Sequence, residues 1–185
     1  MSNKWELKQL KDKEIYLGEF VKNINNIIVF ATPTSNVVED SANQLTNNLW
    51  LGDYRAAHDP KFMHDEKIKN VINATDSIPN KFMLINYYTY PIKDMYACYN
   101  DLFGILEDGA DVINKSLSQN KNILVHCKRG HHRSASIVAY YLMKYEHMSL
   151  IDAILFIKQN RPYAFRRMTC MLWALILYEY NLIYS

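Results

Sequence analysis

The chain of 185 residues has the length of one domain, and its 49% content of hydrophobic residues is enough to form an ordinary core. Its formal net charge of +2 is too small to predict, by itself, binding to nucleic acid or to a membrane surface. The three cysteines, Cys98, Cys127 and Cys170, are spaced neither as a zinc site nor as a disulfide framework, which predicts a reducing, cytoplasmic compartment. Charged residues interrupt the start of the chain, so we expect no signal peptide.

Residues 1–43 are expected to form an N-terminal extension. Apolar residues from Trp5 to Leu10, with charged residues between them, favour one short helix. The apolar run at residues 24–30 is typical of a strand, and the turn-forming residues 32–36 would close it. We expect the extension to pack on the rest of the chain. The alternative is an arm that forms a homodimer or docks a substrate.

Residues 44–185 are expected to form the main domain, because strand-like and helix-like patterns alternate there. Predicted strands cover residues 49–53, 71–74 and much of 82–92, and a further strand ends at His126. Predicted helices cover residues 54–58 or 60–66, then 97–116, 133–146, 150–158 and about 166–180. This alternation predicts an α/β fold with a central, mostly parallel twisted sheet flanked by helices.

The last two predicted helices carry further signals. Ser149 is a typical N-cap for the helix at residues 150–158, and Pro162 follows where that helix ends. The final helix has no charged residue from Met168 to Tyr178. That stretch is much shorter than the about 20 residues that a membrane span requires, so we predict a buried helix.

A short polar loop joins the apolar run at residues 122–125 to a predicted helix that begins at Arg133, and Cys127 stands at the start of this loop. Backbone N–H groups at a helix start, together with its partial positive charge, bind anions. The same environment lowers the pKa of a cysteine from about 8.5 to roughly 3.5–7.5, which produces a nucleophilic thiolate. The loop therefore predicts a phosphate-binding site with Cys127 as its nucleophile.

The neighbouring residues fit this chemistry. Arg133 offers a planar, permanently charged fork that holds two phosphate oxygens at once. Gly130 lies in the middle of the loop, where the backbone needs a positive φ or a close approach to the ligand. Ser134 is expected to hydrogen-bond the sulfur and stabilise it as a leaving group. The remaining predicted phosphate-binding residues are Lys128, Arg129, His131 and His132.

The histidines of this stretch also raise the question of a metal site. Zinc sites commonly space two cysteines by two to four residues and two histidines by three to five. Adjacent His131 and His132 do not match that spacing, and the other cysteines are distant in sequence. We therefore predict no metal at this loop. His126 is expected to point inward and to order the loop through hydrogen bonds.

The segment from His126 to Ser134 resembles the HCxxGxxRS signature of the cysteine-dependent protein tyrosine phosphatases, and of their dual-specificity branch in particular. Residues 44–52 are similar to the opening of dual-specificity phosphatase domains, and Arg161 with the following proline is similar to their RP pair. Residues 163–167 depart from the family pattern, which has an Asn-containing segment there. The resemblance implies a protein tyrosine phosphatase-like fold and a cysteinyl-phosphate intermediate, without a metal or organic cofactor.

The resemblance also implies a general acid, an Asp on a loop after a strand and some thirty residues before the cysteine, which protonates the leaving oxygen. Asp94 precedes Cys127 by 33 positions (127 − 94) and follows a predicted strand. The alternative for Asp94 is a turn or N-cap residue. Asp101 is the next candidate but falls inside a predicted helix, and Asp53 and Asp76 lie too early.

These observations predict a phosphatase that acts on phosphotyrosine and on phosphoserine or phosphothreonine in proteins. At this length the domain has no room for the large substrate loops of the tyrosine-specific enzymes, so we expect a shallow pocket. One alternative is a phosphoinositide or an RNA 5′-phosphate substrate, which the basic loop residues would favour. Another is a catalytically silent phospho-binding or assembly module. The expected partner is a phosphorylated protein; apart from the RNA alternative we expect no nucleic acid, and we expect no membrane span.

Overall fold

The computed structural model describes residues 3–35, 38–93 and 99–184. Within these ranges, five strands form one sheet. They are β1 (Ala42–Thr46), β2 (Leu49–Gly52), β3 (Ile68–Asn73), β4 (Asn86–Thr89) and β5 (Asn122–His126). Their order across the sheet is β1-β2-β5-β3-β4, with β1 antiparallel to β2 and every other pair parallel. The predicted α/β fold with a mostly parallel sheet is confirmed.

Helices cover both faces of this sheet. In the described ranges they are α1 (Asn3–Phe30), α2 (Tyr54–His58), α3 (Pro60–Asp65), α4 (Tyr99–Ser118), α5 (Arg133–Tyr145), α6 (Leu150–Asn160) and α7 (Cys170–Tyr184). A small core on one face joins α2 and α3 to the sheet through Ala56 and Met63. The larger core on the other face contains buried residues of α1 and of α4 to α7. None of the helices in the described ranges is both long enough and apolar enough to cross a membrane.

Strand β5 lies at the centre of the sheet, between β2 and β3. Ile123, Leu124 and Val125 are fully buried, as expected for a parallel strand that is covered on both faces. In open α/β sheets, ligands bind in the crevice outside the carboxyl ends of the strands. The loop that follows β5 therefore lies at the middle of the edge where such folds form their sites.

The expected strand at residues 24–30 is wrong, because this run is the end of helix α1. Ile24 and Ile28 are both fully buried in the larger core, whereas Val29 and Phe30 are exposed. Residues four positions apart share one face of a helix, so the apolar run buries one stripe and leaves the rest in solvent. Periodicity alone does not separate a helix from a strand in so short an apolar run.

The expected domain boundary between residues 43 and 44 falls inside β1. Ala42 pairs with Gly52, and Asn43 pairs with Leu51. The chain thus joins the sheet before the expected boundary.

Two predicted elements differ from the structure in extent. The β-rich run at residues 82–92 contains a strand only at Asn86–Thr89, because β4 pairs with β3 only over those residues. The last helix begins at Cys170 rather than near residue 166. The hydroxyl of Thr169 accepts a hydrogen bond from the N–H of Leu172 at 3.4 Å, so Thr169 caps the helix and its first turn starts at Cys170. The predicted N-cap of α6 is confirmed, since the Ser149 side chain accepts a hydrogen bond from a backbone N–H three residues later.

Candidate active site

The loop between β5 and α5 wraps around the sulfur of Cys127. The backbone N–H of Gly130 donates to Sγ at 3.2 Å, and the hydroxyl of Ser134 donates to Sγ at 3.3 Å. Helix α5 begins at Arg133, so its N-terminal N–H groups and positive dipole end face the same point. The structure thus brings Cys127, Gly130, Arg133 and Ser134 together.

These contacts favour the ionised form of Cys127. Burial by itself raises the pKa of the Cys127 thiol, since only 3% of the residue is exposed. Hydrogen bonds from the side chain and backbone of Ser134, with the positive charge of Arg133, oppose burial and hold the pKa below the usual value of a cysteine. A thiolate is the nucleophilic form of cysteine.

The buried guanidinium of Arg133 connects the loop to the chain that follows β4. Its Nη1 donates to the carbonyl oxygen of Ile92 at 3.2 Å, and the Arg133 residue is 6% exposed. Ile92 is itself buried and comes two positions before the predicted acid, Asp94. Asp94 lies outside the described residues. The alternative acid, Asp101, falls in the first turn of α4.

Arg161, just after α6, holds the outer side of the loop. Its Nε donates to the carbonyl of Gly130 at 3.0 Å, and its Nη2 donates to the carbonyl of Arg129 at 2.9 Å. Its Nη1 donates to Oδ1 of Asn43 at 2.7 Å and to the carbonyl of Asp40 at 3.1 Å. Only 1% of Arg161 is exposed, so this side chain positions the loop rather than contacting a substrate.

The conformation of Gly130 explains why no other residue fits there. Its φ is +70°, in the region that favours glycine. A Cβ at this position would lie 2.5 Å from the carbonyl oxygen of Gly52 and 2.7 Å from Nε of Arg161. The positive φ expected for this glycine is thus confirmed, and its closest neighbours are atoms of the protein itself.

A partly buried hydrogen bond between His131 and Glu39 ties the loop to the segment before β1. Nε2 of His131 lies 2.6 Å from Oε2 of Glu39, and the other carboxylate oxygen accepts from the N–H of Tyr163 at 2.9 Å. Burial tends to raise the pKa of Glu39, but these two hydrogen bonds and the charge of Arg161 hold that pKa below its usual value. His131 was predicted to bind phosphate; in this structure its Nε2 is engaged by Glu39.

His126 lies at the end of β5 and is 1% exposed. Burial lowers its pKa to about 4, so the ring is neutral at neutral pH. Among the described residues, Nδ1 of His126 has no hydrogen-bond partner. Its carbonyl oxygen accepts from the N–H of Ala74 at 2.9 Å, which joins the start of the loop to the end of β3.

A cavity of about 290 Å³ opens above the sulfur. Its lining residues in the described part of the chain are Cys127, Lys128, Arg129, His131, His132, Arg133, Arg166 and Arg167. A second cavity of about 510 Å³ lies across the loop and shares Lys128, Arg129 and His131 with the first. The arrangement can hold a phosphate monoester over a thiolate in a strongly basic surrounding.

Sequence reasoning missed four residues of this site. Arg161 was noted only as part of a resemblance, and Arg166 and Arg167 only as part of a departure from it. An arginine that closes an apolar helix directly before a proline was a usable local signal for Arg161. Glu39 gave no local signal, because its partner His131 is 92 positions away in sequence.

Comparison with known proteins decides the family. The family model described as dual specificity phosphatase, catalytic domain, matches residues 49–181. The chain belongs to the dual specificity phosphatase family. Human dual specificity protein phosphatase 21 is 35% identical to it over 123 residues, which cover 66% of this chain and 64% of that protein. Rat dual specificity protein phosphatase 18 is 34% identical over 142 residues, which cover 75% of this chain and 67% of that protein.

The fold agrees with this family. The crystal structure of human DUSP28 superposes with a TM-score of 0.70 at 22% sequence identity, over 82% of this chain and 100% of that chain. The chain thus has the protein tyrosine phosphatase-like fold that the resemblance implied. It spans less than two thirds of the length of human dual specificity protein phosphatase 21.

Proposed function

We propose that this chain is a cysteine-dependent phosphatase that hydrolyses phosphotyrosine and phosphoserine or phosphothreonine in proteins. The observation that carries the proposal is the surrounding of Cys127. Two hydrogen-bond donors lie within 3.3 Å of its sulfur, and a cationic cavity lies above it. Membership of the dual specificity phosphatase family supports the same activity.

In the proposed first step, Sγ of Cys127 attacks the phosphorus in line with the ester oxygen. The S–P bond forms as the P–O bond breaks, and the leaving oxygen takes a proton from Asp94, the acid that the family resemblance implies. Arg133 and the loop N–H groups hold the three remaining phosphate oxygens, which carry the developing charge.

In the second step, water attacks the phosphorus of the cysteinyl-phosphate. Asp94, now ionised, takes a proton from that water as the P–O bond forms and the S–P bond breaks. Inorganic phosphate leaves, and the sulfur departs as a thiolate. The hydroxyl of Ser134 is placed to stabilise that thiolate, because it already donates to Sγ at 3.3 Å.

Hydrolysis of a generic aryl phosphate by the wild type, Cys127→Ser and Asp94→Asn, with and without a chelator, tests this proposal. We expect turnover that resists the chelator, disappears in Cys127→Ser and falls sharply in Asp94→Asn. A folded wild type without turnover would favour the silent phospho-binding module instead. Unchanged turnover in Asp94→Asn would assign the acid role to another residue, with Asp101 the first to test.

Helix α1 is the proposed place for a homodimer contact. It packs on α7, yet Ile15, Val29 and Phe30 expose apolar side chains on its outer side. Light scattering on the full chain and on the Phe30→Ser variant tests the dimer: a monomer in both would exclude it.

We also propose a reducing, cytoplasmic location, because a nucleophilic thiolate has to stay reduced to act.

A further inference from the structure

Two arginines stand at the active-site cavity where the sequence departs from the family pattern. Arg166 and Arg167 are exposed, and both line the cavity that holds Cys127. Among the described residues, neither guanidinium pairs with a carboxylate. Their charges are therefore available to a ligand in this cavity.

The preceding turn fixes the place of these arginines. Phe165 is fully buried, and its φ of 51° lies in the left-handed region. That backbone conformation is unfavourable for a bulky residue. Its N–H donates to the carbonyl oxygen of His131, inside the loop, at 2.8 Å. Nζ of Lys158 donates to the carbonyl of Ala164 at 2.7 Å. The backbone is thus tied to the loop and to the core directly before Arg166.

The cavity holds more positive charge than one phosphate group requires. Arg133 and the loop N–H groups are the natural partners of the phosphate that is transferred, and Lys128 and Arg129 add two further cations. A phosphate monoester carries about −1.5 to −2 charges near neutral pH. Arg166 and Arg167 are not needed to balance the charge of that phosphate, so they can bind a second anionic group. A guanidinium fork binds a phosphate or a carboxylate with two parallel hydrogen bonds.

We propose that Arg166 and Arg167 form a second anion subsite for an acidic or phosphorylated side chain beside the phosphorylated residue of a peptide. This inference rests on the proposed function of the cavity. Alternate side chains of an extended peptide lie on one face, roughly 7 Å apart, so the residue two positions away is the first candidate.

The shape of the surface favours a peptide over a compact head group. The two cavities adjoin each other across Lys128, Arg129 and His131, and Tyr54 and Tyr163 line the second one. An extended chain can occupy both cavities at once. A single inositol phosphate would leave the second cavity empty.

Binding to the full-length Cys127→Ser variant tests the subsite without turnover. The probes are three fluorescent phosphotyrosine peptides that differ only two positions from the phosphotyrosine, where they carry alanine, glutamate or phosphoserine. We expect a Kd roughly 10-fold lower for the phosphoserine peptide than for the alanine peptide, with glutamate between them. Adding Arg166→Gln and Arg167→Gln should bring the three values together.

The matched control removes the same charge elsewhere. Lys69 and Lys121 are exposed near the amino ends of β3 and β5, at the opposite edge of the sheet from the loop. In the Cys127→Ser background, Lys69→Gln with Lys121→Gln should keep the preference for the phosphoserine peptide. Loss of the preference in this control would overturn a specific subsite in favour of general electrostatic attraction.

Equal Kd values for the three peptides would also overturn the proposal, as would a preference that survives the two arginine substitutions. Tighter binding of a soluble inositol bisphosphate than of every peptide would assign the arginines to a lipid head group and overturn the peptide proposal. Failure of the proposed function is a separate result, because it shows as a wild type that does not hydrolyse aryl phosphate.

Discussion

Oε2 of Glu39 lies 2.6 Å from Nε2 of His131, and the two side chains are 10% and 12% exposed. The contact joins the segment before β1 to the loop that holds the nucleophile, across 92 positions of sequence. Arg161 bonds to the same segment through Asp40 and Asn43. The outer wall of the active site is therefore built from three distant parts of the chain.

We expect Glu39→Gln to lower the free energy of unfolding by about 1.5–3 kcal/mol near neutral pH, the usual contribution of a hydrogen bond to a charged group. Turnover of aryl phosphate should fall roughly 10-fold, because the loop loses a contact that positions it. Urea denaturation and steady-state kinetics measure the two effects. Glu19→Gln removes the same charge from an exposed position of α1 and should change neither.

The effect of Glu39→Gln should depend on pH. The pKa of Glu39 lies below its usual value of 4.5, because its hydrogen bonds and the charge of Arg161 outweigh burial. A carboxyl group whose pKa is lowered by folding stabilises the protein above its unfolded pKa, and this contribution is lost as the pH falls through the folded pKa. The difference in stability between the wild type and Glu39→Gln should thus be full above about pH 5 and shrink in more acidic solution. An equal difference at acidic and neutral pH would contradict this account.

Ser134→Ala should raise the pKa of Cys127, because it removes a hydrogen bond that favours the thiolate. The pH profile of Cys127 alkylation should move to higher pH. Loss of one hydrogen bond to a charged sulfur corresponds to a decrease in turnover of roughly 10- to 100-fold, with phosphoenzyme accumulating. Ser136→Ala is the matched control, since that hydroxyl donates to the carbonyl of His132 instead. Equal profiles for Ser134→Ala and the wild type would remove Ser134 from the mechanism.

Gly130→Ala should abolish most activity and destabilise the fold. The new Cβ would meet a backbone oxygen at 2.5 Å, and the positive φ adds strain. We expect a loss of about 2–4 kcal/mol in the free energy of unfolding. Gly104→Ala in α4 meets no atom within 4 Å and should instead stabilise the protein by roughly 0.5–1 kcal/mol. Thermal unfolding of both variants compares the two, and a tolerated Gly130→Ala would show that the loop adjusts.

Ile28→Ala tests whether α1 belongs to the folded core. Ile28 is fully buried, so its truncation should cost about 2–4 kcal/mol in unfolding free energy. Val29 is 66% exposed, and Val29→Ala should stay within roughly 0.5 kcal/mol of the wild type. Chemical denaturation distinguishes these neighbours. Equal effects of the two substitutions would mean that α1 does not pack as described.

The sequence predicts a strand or helix correctly where consecutive residues of that element contain its apolar pattern or its capping residue. The apolar run of β5, the helix that begins at Arg133 and the cap at Ser149 were each visible in consecutive residues. The run at residues 24–30 has the local pattern of a strand but forms a helix, because its structure depends on what Ile24 and Ile28 pack against. Burial by distant helices, not local preference, selects the helix there.

The same distinction holds within the site. Cys127, Gly130, Arg133 and Ser134 are local to one loop, so their spacing predicted their grouping. The contacts of Arg161 with Gly130 and of Glu39 with His131 join elements that only the tertiary fold brings together. The predicted acid Asp94 stays a prediction.

Residues 39–43 hold the loop, yet the family model begins at residue 49. A fragment trimmed to the family boundary would keep every residue of the HCxxGxxRS signature. It would lose strand β1, the Glu39 carboxylate and two of the four hydrogen-bond acceptors of Arg161. The unit that the family model describes is thus smaller than the unit that holds this nucleophile in place.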